Sequence, residues 1–353
     1  MDITMGLKSI AGSSVKFVGR TVGRSVDWVG VNAANAWRML LKGRIPDYIV
    51  LTLDRDLSEL AGDRPWWLHY VPGFGDELSL EGLAAVLRRI AGDPDVRGIV
   101  FLLKGTELTL SQAQNLVALL ERFRAWDGEY HGAARKEIVV YAETVSGPSA
   151  LMLGVADRAI LPPLASWDVV GLQVTSTFLK EPLARVGIDV EVARVAPWKT
   201  AADAVSRNEM SEAQREQLNW LLDSLHGTLV QGISQGRALE EAVVAGLIDR
   251  GPLTAEDALA AGLIDRIAYE DELPGVLGER EAEVEAEGEV TLGIFGQTER
   301  LLKHHLAPAA AGRIGVIRLE GAIMPGRSRN FPMPLPLLGD NLIGSTTAQQ
   351  QIR

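Results

Sequence analysis

Short apolar blocks alternate with helical periodicity through the first two-thirds of the chain. Ile49–Leu53, Gly98–Leu103, Glu137–Ala142 and Arg158–Leu161 predict strands, the second of them buried. Between them Leu80–Ile90 and Ser111–Arg124 carry the three- and four-residue spacing of helices, and Ala150–Ala156 reads as a short apolar helix. Strands separated by helices of this length predict an α/β fold with a mostly parallel sheet and right-handed crossovers. Further on, Ser211-Glu212-Ala213-Gln214 is a capping-box signature that opens a long helix through about Val230. The tandem stretches Gly246–Arg250 and Gly262–Arg266 read as two helix stops followed by strand starts.

The first residues follow a different pattern. Val15, Val18, Val22, Val26, Val29, Ala33, Trp37 and Leu40 recur at helical steps, while Lys16, Arg20 and Arg24 form a separate row. No apolar run approaches the roughly 18 residues of a membrane span, and no cleavable leader is visible. Two readings fit this arm. It lies on anionic lipid with Trp28 and Trp37 as anchors, or it packs on its own body or a neighbouring subunit.

Late in the chain an earlier pattern returns. Ile314–Gly321 echoes the strand ending at Leu53, and Ser345 follows Leu319 at the spacing by which Ser79 follows Leu53. The second unit has only a strand and a helix start before Arg353, too little to close a core. The expectation is therefore a front part of a two-repeat protein. It divides into a basic helical arm at 1–46, a first repeat at 47–270, an acidic linker at 271–312 and the start of a second repeat at 313–353. Nine acidic residues against Arg280 between Glu270 and Glu289 mark the linker as solvated. Pro325, Pro332, Pro334 and Pro336 mark a loop in the second unit.

Composition narrows the chemistry. A formal charge of -11 over 353 residues, unevenly spread with +5 on residues 1–44 (seven basic, two acidic), argues against a nucleic-acid partner. The absence of cysteine excludes disulfides, thiolate metal sites and a cysteine nucleophile. His69, His131, His226, His304 and His305 form no metal-binding spacing, so no metal or cofactor is expected.

The stretch richest in chemistry surrounds Lys199, in Ala196-Pro197-Trp198-Lys199-Thr200-Ala201-Ala202. A lysine accepts a serine proton only if its surroundings bring its pKa from about 10.4 toward roughly 7–8; burial beside Pro197 and Trp198 would do this, and the alternative is an ordinary surface lysine. Gly187–Val195 ahead of it and Arg207-Asn208-Glu209-Met210-Ser211 behind it, with Ala156–Ile160 and Ala258–Asp265, together resemble the signal peptide peptidase A family of serine/lysine proteases, peptidase family S49. Trp198 stands where that family usually has tyrosine.

The resemblance implies a ClpP/crotonase-like fold of repeated ββα/βα units and a serine-type endopeptidase with Lys199 as general base. Cleavage of apolar peptides such as released signal peptides, a homo-oligomer and association with a bacterial inner membrane are implied with it, while peripheral membrane contact through residues 10–44 is the expectation of their amphipathic pattern. It leaves the nucleophile in one of two places. Ser146 sits in Val145-Ser146-Gly147-Pro148, similar to the family's Ala-Ser-Gly-Gly but one residue out of register and with proline for glycine. The turn expected to donate to an oxyanion, Lys104-Gly105-Thr106-Glu107, holds one glycine where the family has two. Two-repeat members supply the serine and the Gly-Gly turn from the second repeat, which places the nucleophile beyond Arg353. A catalytically inactive, membrane-associated scaffold is the alternative from another class. An acyl-coenzyme A enzyme of the crotonase type fits the Lys199 segment poorly.

Overall fold

The computed structural model closes the alternation of strands and helices into one parallel sheet. It describes residues 28–41, 45–54, 57–60, 79–105, 107–125, 135–195, 198–279, 290–298, 301–304, 319, 322–335 and 339–352. Contacts divide the chain into two units, Met1–His305 and Leu306–Arg353.

The first unit opens with α1 (residues 28–40), β1 (Tyr48–Leu53), α2 (Leu80–Ala91), β2 (Gly98–Leu103), α3 (Leu110–Arg124) and β3 (Glu137–Ala142). It continues with β4 (Thr144–Val145), α4 (Gly147–Val155), β5 (Arg158–Leu161), β6 (Ser166–Trp167), α5 (Lys180–Arg185) and α6 (Asp203–Ser206). Then come α7 (Glu212–Arg237), α8 (Glu241–Arg250), β7 (Leu253–Thr254), α9 (Ala255–Ala260), β8 (Arg266–Ile267), α10 (Leu273–Gly278), β9 (Leu292–Ile294) and α11 (Phe295–Thr298). The main sheet runs β8-β5-β3-β2-β1-β9, and every neighbouring pair is parallel.

Successive strand residues face opposite sides of a sheet, and here both sides are covered. Ile49, Leu51, Ile99, Phe101, Ile138 and Val140 join the larger core with α2, α3, α4 and the C-terminal part of α7. Tyr48, Val50, Val100, Leu102, Val139 and Tyr141 join a smaller cluster with Leu273, Val276 and Leu277 of α10. This double burial is why the strands read as nearly continuous apolar runs. The architecture is the α/β arrangement with a parallel sheet that the alternation predicts.

Several elements differ from the sequence reading. Part of the expected 271–312 linker belongs to the fold: α10 closes one face of the sheet, and β9 pairs with β1. Local apolar spacing at Leu273, Val276 and Leu277 outweighs the flanking acids, and residues 280–289 lie outside the described residues. Gly246 does not stop a helix. α8 runs through it in open space and ends at Gly251, ahead of Pro252, whereas Gly262 (φ +74) does follow the end of α9. Of the capping box, the half from Ser211 is present, its Oγ accepting the Gln214 N–H at 3.2 Å, while Gln214 Oε1 has no partner among the described residues.

Arg38 fixes α1 to the first unit. Its guanidinium bonds Asp93 at 2.5 Å and Asp95 at 2.7 Å, and Asn35 exchanges two hydrogen bonds with the main chain of His304. Trp28, Val29, Trp37, Met39 and Leu40 of the same helix remain exposed. The Lys16, Arg20 and Arg24 row lies outside the described residues. Among those described, no helix is long and apolar enough to cross a membrane.

The second unit holds β10 (Ala322–Met324), β11 (Arg329–Leu335), β12 (Gly339–Gly344) and α12 (Ser345–Ile352), with sheet order β10-β12-β11. Pro332 and Pro334, expected in a loop, lie in the edge strand β11, whose register shifts between Asn330 and Leu335. An edge strand tolerates the missing N–H groups. Apart from Leu319, the strand expected at 314–321 is outside the described residues. Ser345 opens α12 as Ser79 caps α2, the Ser79 Oγ accepting from the Gly82 N–H at 3.0 Å.

Candidate active site

The Lys199 segment is carried on the exposed end of α7. Between Val170 and Thr228 no described apolar side chain is buried, and the buried side chains are Asp203 and Ser211. α7 buries Leu229, Val230, Ile233 and Ser234 near its C-terminus, so its N-terminal half stands away from the core with Trp220 and Leu221 exposed.

Hydrogen bonds supply the order that apolar packing does not. The fully buried Asp203 carboxylate accepts from Arg194 at 2.7 Å and from the Ser211 hydroxyl at 2.5 Å, joining the chain ahead of Lys199 to the cap of α7. The Ser211 hydrogen bond holds this carboxyl below the usual carboxylate range; burial opposes it, and Arg194 adds to it. The Asp203 N–H donates to Thr200 O at 2.9 Å, closing a turn directly after Lys199. Gln217 of α7 reaches both neighbours of the lysine: its Nε2 donates to Trp198 O and its Oε1 accepts from Thr200 Oγ1, each at 3.0 Å.

Lys199 itself is exposed, and among the described residues its side chain has no hydrogen bond or ion pair. Of the two readings, exposed rather than buried beside Trp198 is what one chain shows, and Trp198 itself is 48 % exposed; Pro197 lies outside the described residues. The physical reason is that no described apolar side chain of the 170–228 stretch is buried, so the segment forms no described core for the lysine to enter. A cavity of about 570 Å³ beside it is lined by Lys180, Val192, Arg194, Ser206, Arg207, Asn208 and Glu209, a mainly polar surface rather than an apolar groove.

Ser146 is placed at the N-cap of α4, following the carboxyl end of β3. It is exposed, its Oγ lies 3.1 Å from Ser149 Oγ, and its N–H donates to that same hydroxyl at 2.7 Å. The fold does not join it to Lys199 by a hydrogen bond. Gly105 leaves β2 in the left-handed region (φ +69), and neighbouring Lys104 pairs with Glu270 at 2.6 Å. Among the described residues no cluster of histidine and carboxylate side chains suits a metal ion.

Sequence reasoning missed two features. Gln217 has no local signal, because its partners lie 17 and 19 residues away along the chain, beyond the reach of helical spacing, and meet it only in three dimensions. At Lys136 burial pushes the ammonium's pKa down, and this side chain donates to the main-chain carbonyls of Asp93 and Val96, tying a turn together.

The comparisons with known proteins converge on one family. The model of peptidase family S49 matches residues 131–285, a stretch that contains both Ser146 and Lys199. The chloroplastic serine protease SPPA of Arabidopsis thaliana is 27 % identical over 248 residues, covering 70 % of this chain and 34 % of the relative. Protease 4 of Haemophilus influenzae is 24 % identical over 185 residues, covering 52 % of this chain and 28 % of the relative. Protease 4 of Salmonella typhi is 24 % identical over 323 residues, covering 84 % and 48 %. The chain thus spans less than half the length of each of these relatives. With the α/β fold, these matches identify residues 131–285 as a peptidase family S49 region and the chain as a distant homologue of Protease 4.

Proposed function

We propose that this chain is part of a serine endopeptidase in which Lys199 is the general base. The observation that carries the reading is a lysine without a side-chain partner among the described residues, whose two flanking residues are both tied to α7. In its neutral form the amine takes the proton of a serine hydroxyl as that oxygen attacks the peptide carbonyl. It then gives the proton to the departing amine. Ser146 is poorly suited to the attack, since its main chain and hydroxyl both engage Ser149. The nucleophile is therefore assigned to residues outside this chain, supplied by a second repeat whose start is 313–353, the first being 47–270.

Apolar peptides, released signal peptides among them, are the proposed substrates, bound in a homo-oligomer. The exposed Val186, Val195, Trp198 and Trp220 support an assembly in which a second copy covers the 170–228 stretch and dries the lysine. The exposed apolar face of α1 supports peripheral contact with a bacterial inner membrane.

The test is hydrolysis of an apolar fluorogenic peptide by the full-length protein. Lys199→Ala should lower kcat by about 10²–10⁴-fold, the range ascribed to a positioned general base. Wild-type turnover in Lys199→Ala would end the general-base assignment and favour the scaffold.

A further inference from the structure

From the geometry around Lys199 we infer that Gln217 is a positioning residue for the lysine, acting through the main chain and side chain on either side of it. The inference rests on the general-base reading above and adds a residue that its motif does not contain. Both ends of one primary amide are used: Nε2 donates to the carbonyl of Trp198, and Oε1 accepts from the hydroxyl of Thr200. The Trp198 carbonyl can only accept, so it takes the NH2 end of the amide and leaves Oε1 to the Thr200 hydroxyl.

The clamp matters because no described apolar side chain of this segment is buried. Residues 170–228 bury no described apolar side chain, and hydrogen bonds are the described ties on either side of Lys199. Two of the attachments run to the same helix, one at its cap through Ser211 and Asp203 and one at Gln217. α7 in turn is rooted in the core by Leu229, Val230 and Ile233. The helix thus transmits the rigidity of the body to a lysine that the body does not touch. A general base must meet its proton within hydrogen-bond reach, and a misplacement near 1 Å costs on the order of 10²-fold.

The experiment compares Gln217→Ala, Gln217→Glu, Thr200→Val, the Gln217→Ala/Thr200→Val pair and Lys199→Ala in the full-length protein. Gln217→Ala should lower kcat by about 10- to 100-fold with KM within about twofold of wild type. Gln217→Glu keeps the acceptor for Thr200 but sets a carboxylate against the Trp198 carbonyl, so it should fail to restore kcat. The double variant should be no slower than Gln217→Ala, because both substitutions open one clamp. Hydrogen exchange supplies a readout independent of activity: amides of 198–203 should exchange faster in Gln217→Ala while those of 229–237 keep their protection.

Wild-type kcat in Gln217→Ala beside a silent Lys199→Ala would overturn the clamp and leave the general base standing. Wild-type kcat in Lys199→Ala would remove the general base, and the clamp with it. Loss of protection across the whole of α7 would make Gln217 a folding residue and overturn the inference. Unchanged exchange at 198–203 would do the same.

Discussion

The crossing of α4 and α7 offers a prediction whose sign depends on one contact. A Cβ added at Gly236 would meet the Cα, C and O atoms of Gly154 at 2.6 Å. Ordinary contact begins near 3.4 Å, so the helices must part by about 0.8 Å. The obstacles are main chain on both sides, and no rotamer change relieves them. Overpacking of this kind costs about 1–3 kcal/mol, and a gap of that size forfeits a quarter to a half of the dispersion energy of the contacts it opens. Alanine returns roughly 0.8–1 kcal/mol of helix propensity, so the upper end of the packing cost leaves Gly236→Ala less stable by about 1–2 kcal/mol. Gly227 on the same helix has open space at its Cβ position, and Gly227→Ala should stabilise by roughly 0.8–1 kcal/mol. Urea unfolding of the two variants, compared by midpoint at a common slope, should separate them by about 2–3 kcal/mol. Equal midpoints, or a more stable Gly236→Ala, would refute the close crossing as the reason for glycine there.

Asp203 gives a pH dependence with a definite sign. Its folded carboxyl is held below the usual range, so its stabilisation is complete above the unfolded pKa of about 3.9 and is lost as pH falls through the lower folded value. Urea midpoints of Asp203→Asn and wild type should differ by a constant amount above about pH 5 and converge below about pH 4; a gap that widens in acid would contradict this. For α1, a Trp37→Glu/Leu40→Glu pair changes two exposed side chains, 65 % and 78 % accessible, and should weaken sedimentation with anionic vesicles while leaving the urea midpoint in place. Undiminished vesicle binding would remove that face from the membrane contact.

Strands whose two faces are both covered must be apolar at nearly every position, and a run of that kind stands out in any window. Gly98–Leu103, Glu137–Ala142 and Arg158–Leu161 were therefore legible to the residue. α10 was not, because three apolar residues among acids carry too little periodicity to announce a buried turn until the sheet face they cover is known. The edge strand β11 was hidden by its prolines, which exclude a central strand and permit an edge one.

The lysine and the family it belongs to were set by the order of residues along the chain, since a motif is a local pattern around one reacting group. Its surroundings were decided in space. The Asp203 tie between Arg194 and Ser211 and the Gln217 clamp join residues whose side chains meet only after α7 turns back across the segment. Exposure of Lys199 is likewise a tertiary outcome, since Trp198 beside it is apolar enough to help bury it and yet stays half exposed among the described residues. Periodicity and motif act over one turn or one strand, and so they are written in sequence. Burial and hydrogen-bond partnership depend on which distant elements share a face, and only the assembled sheet and helices determine that.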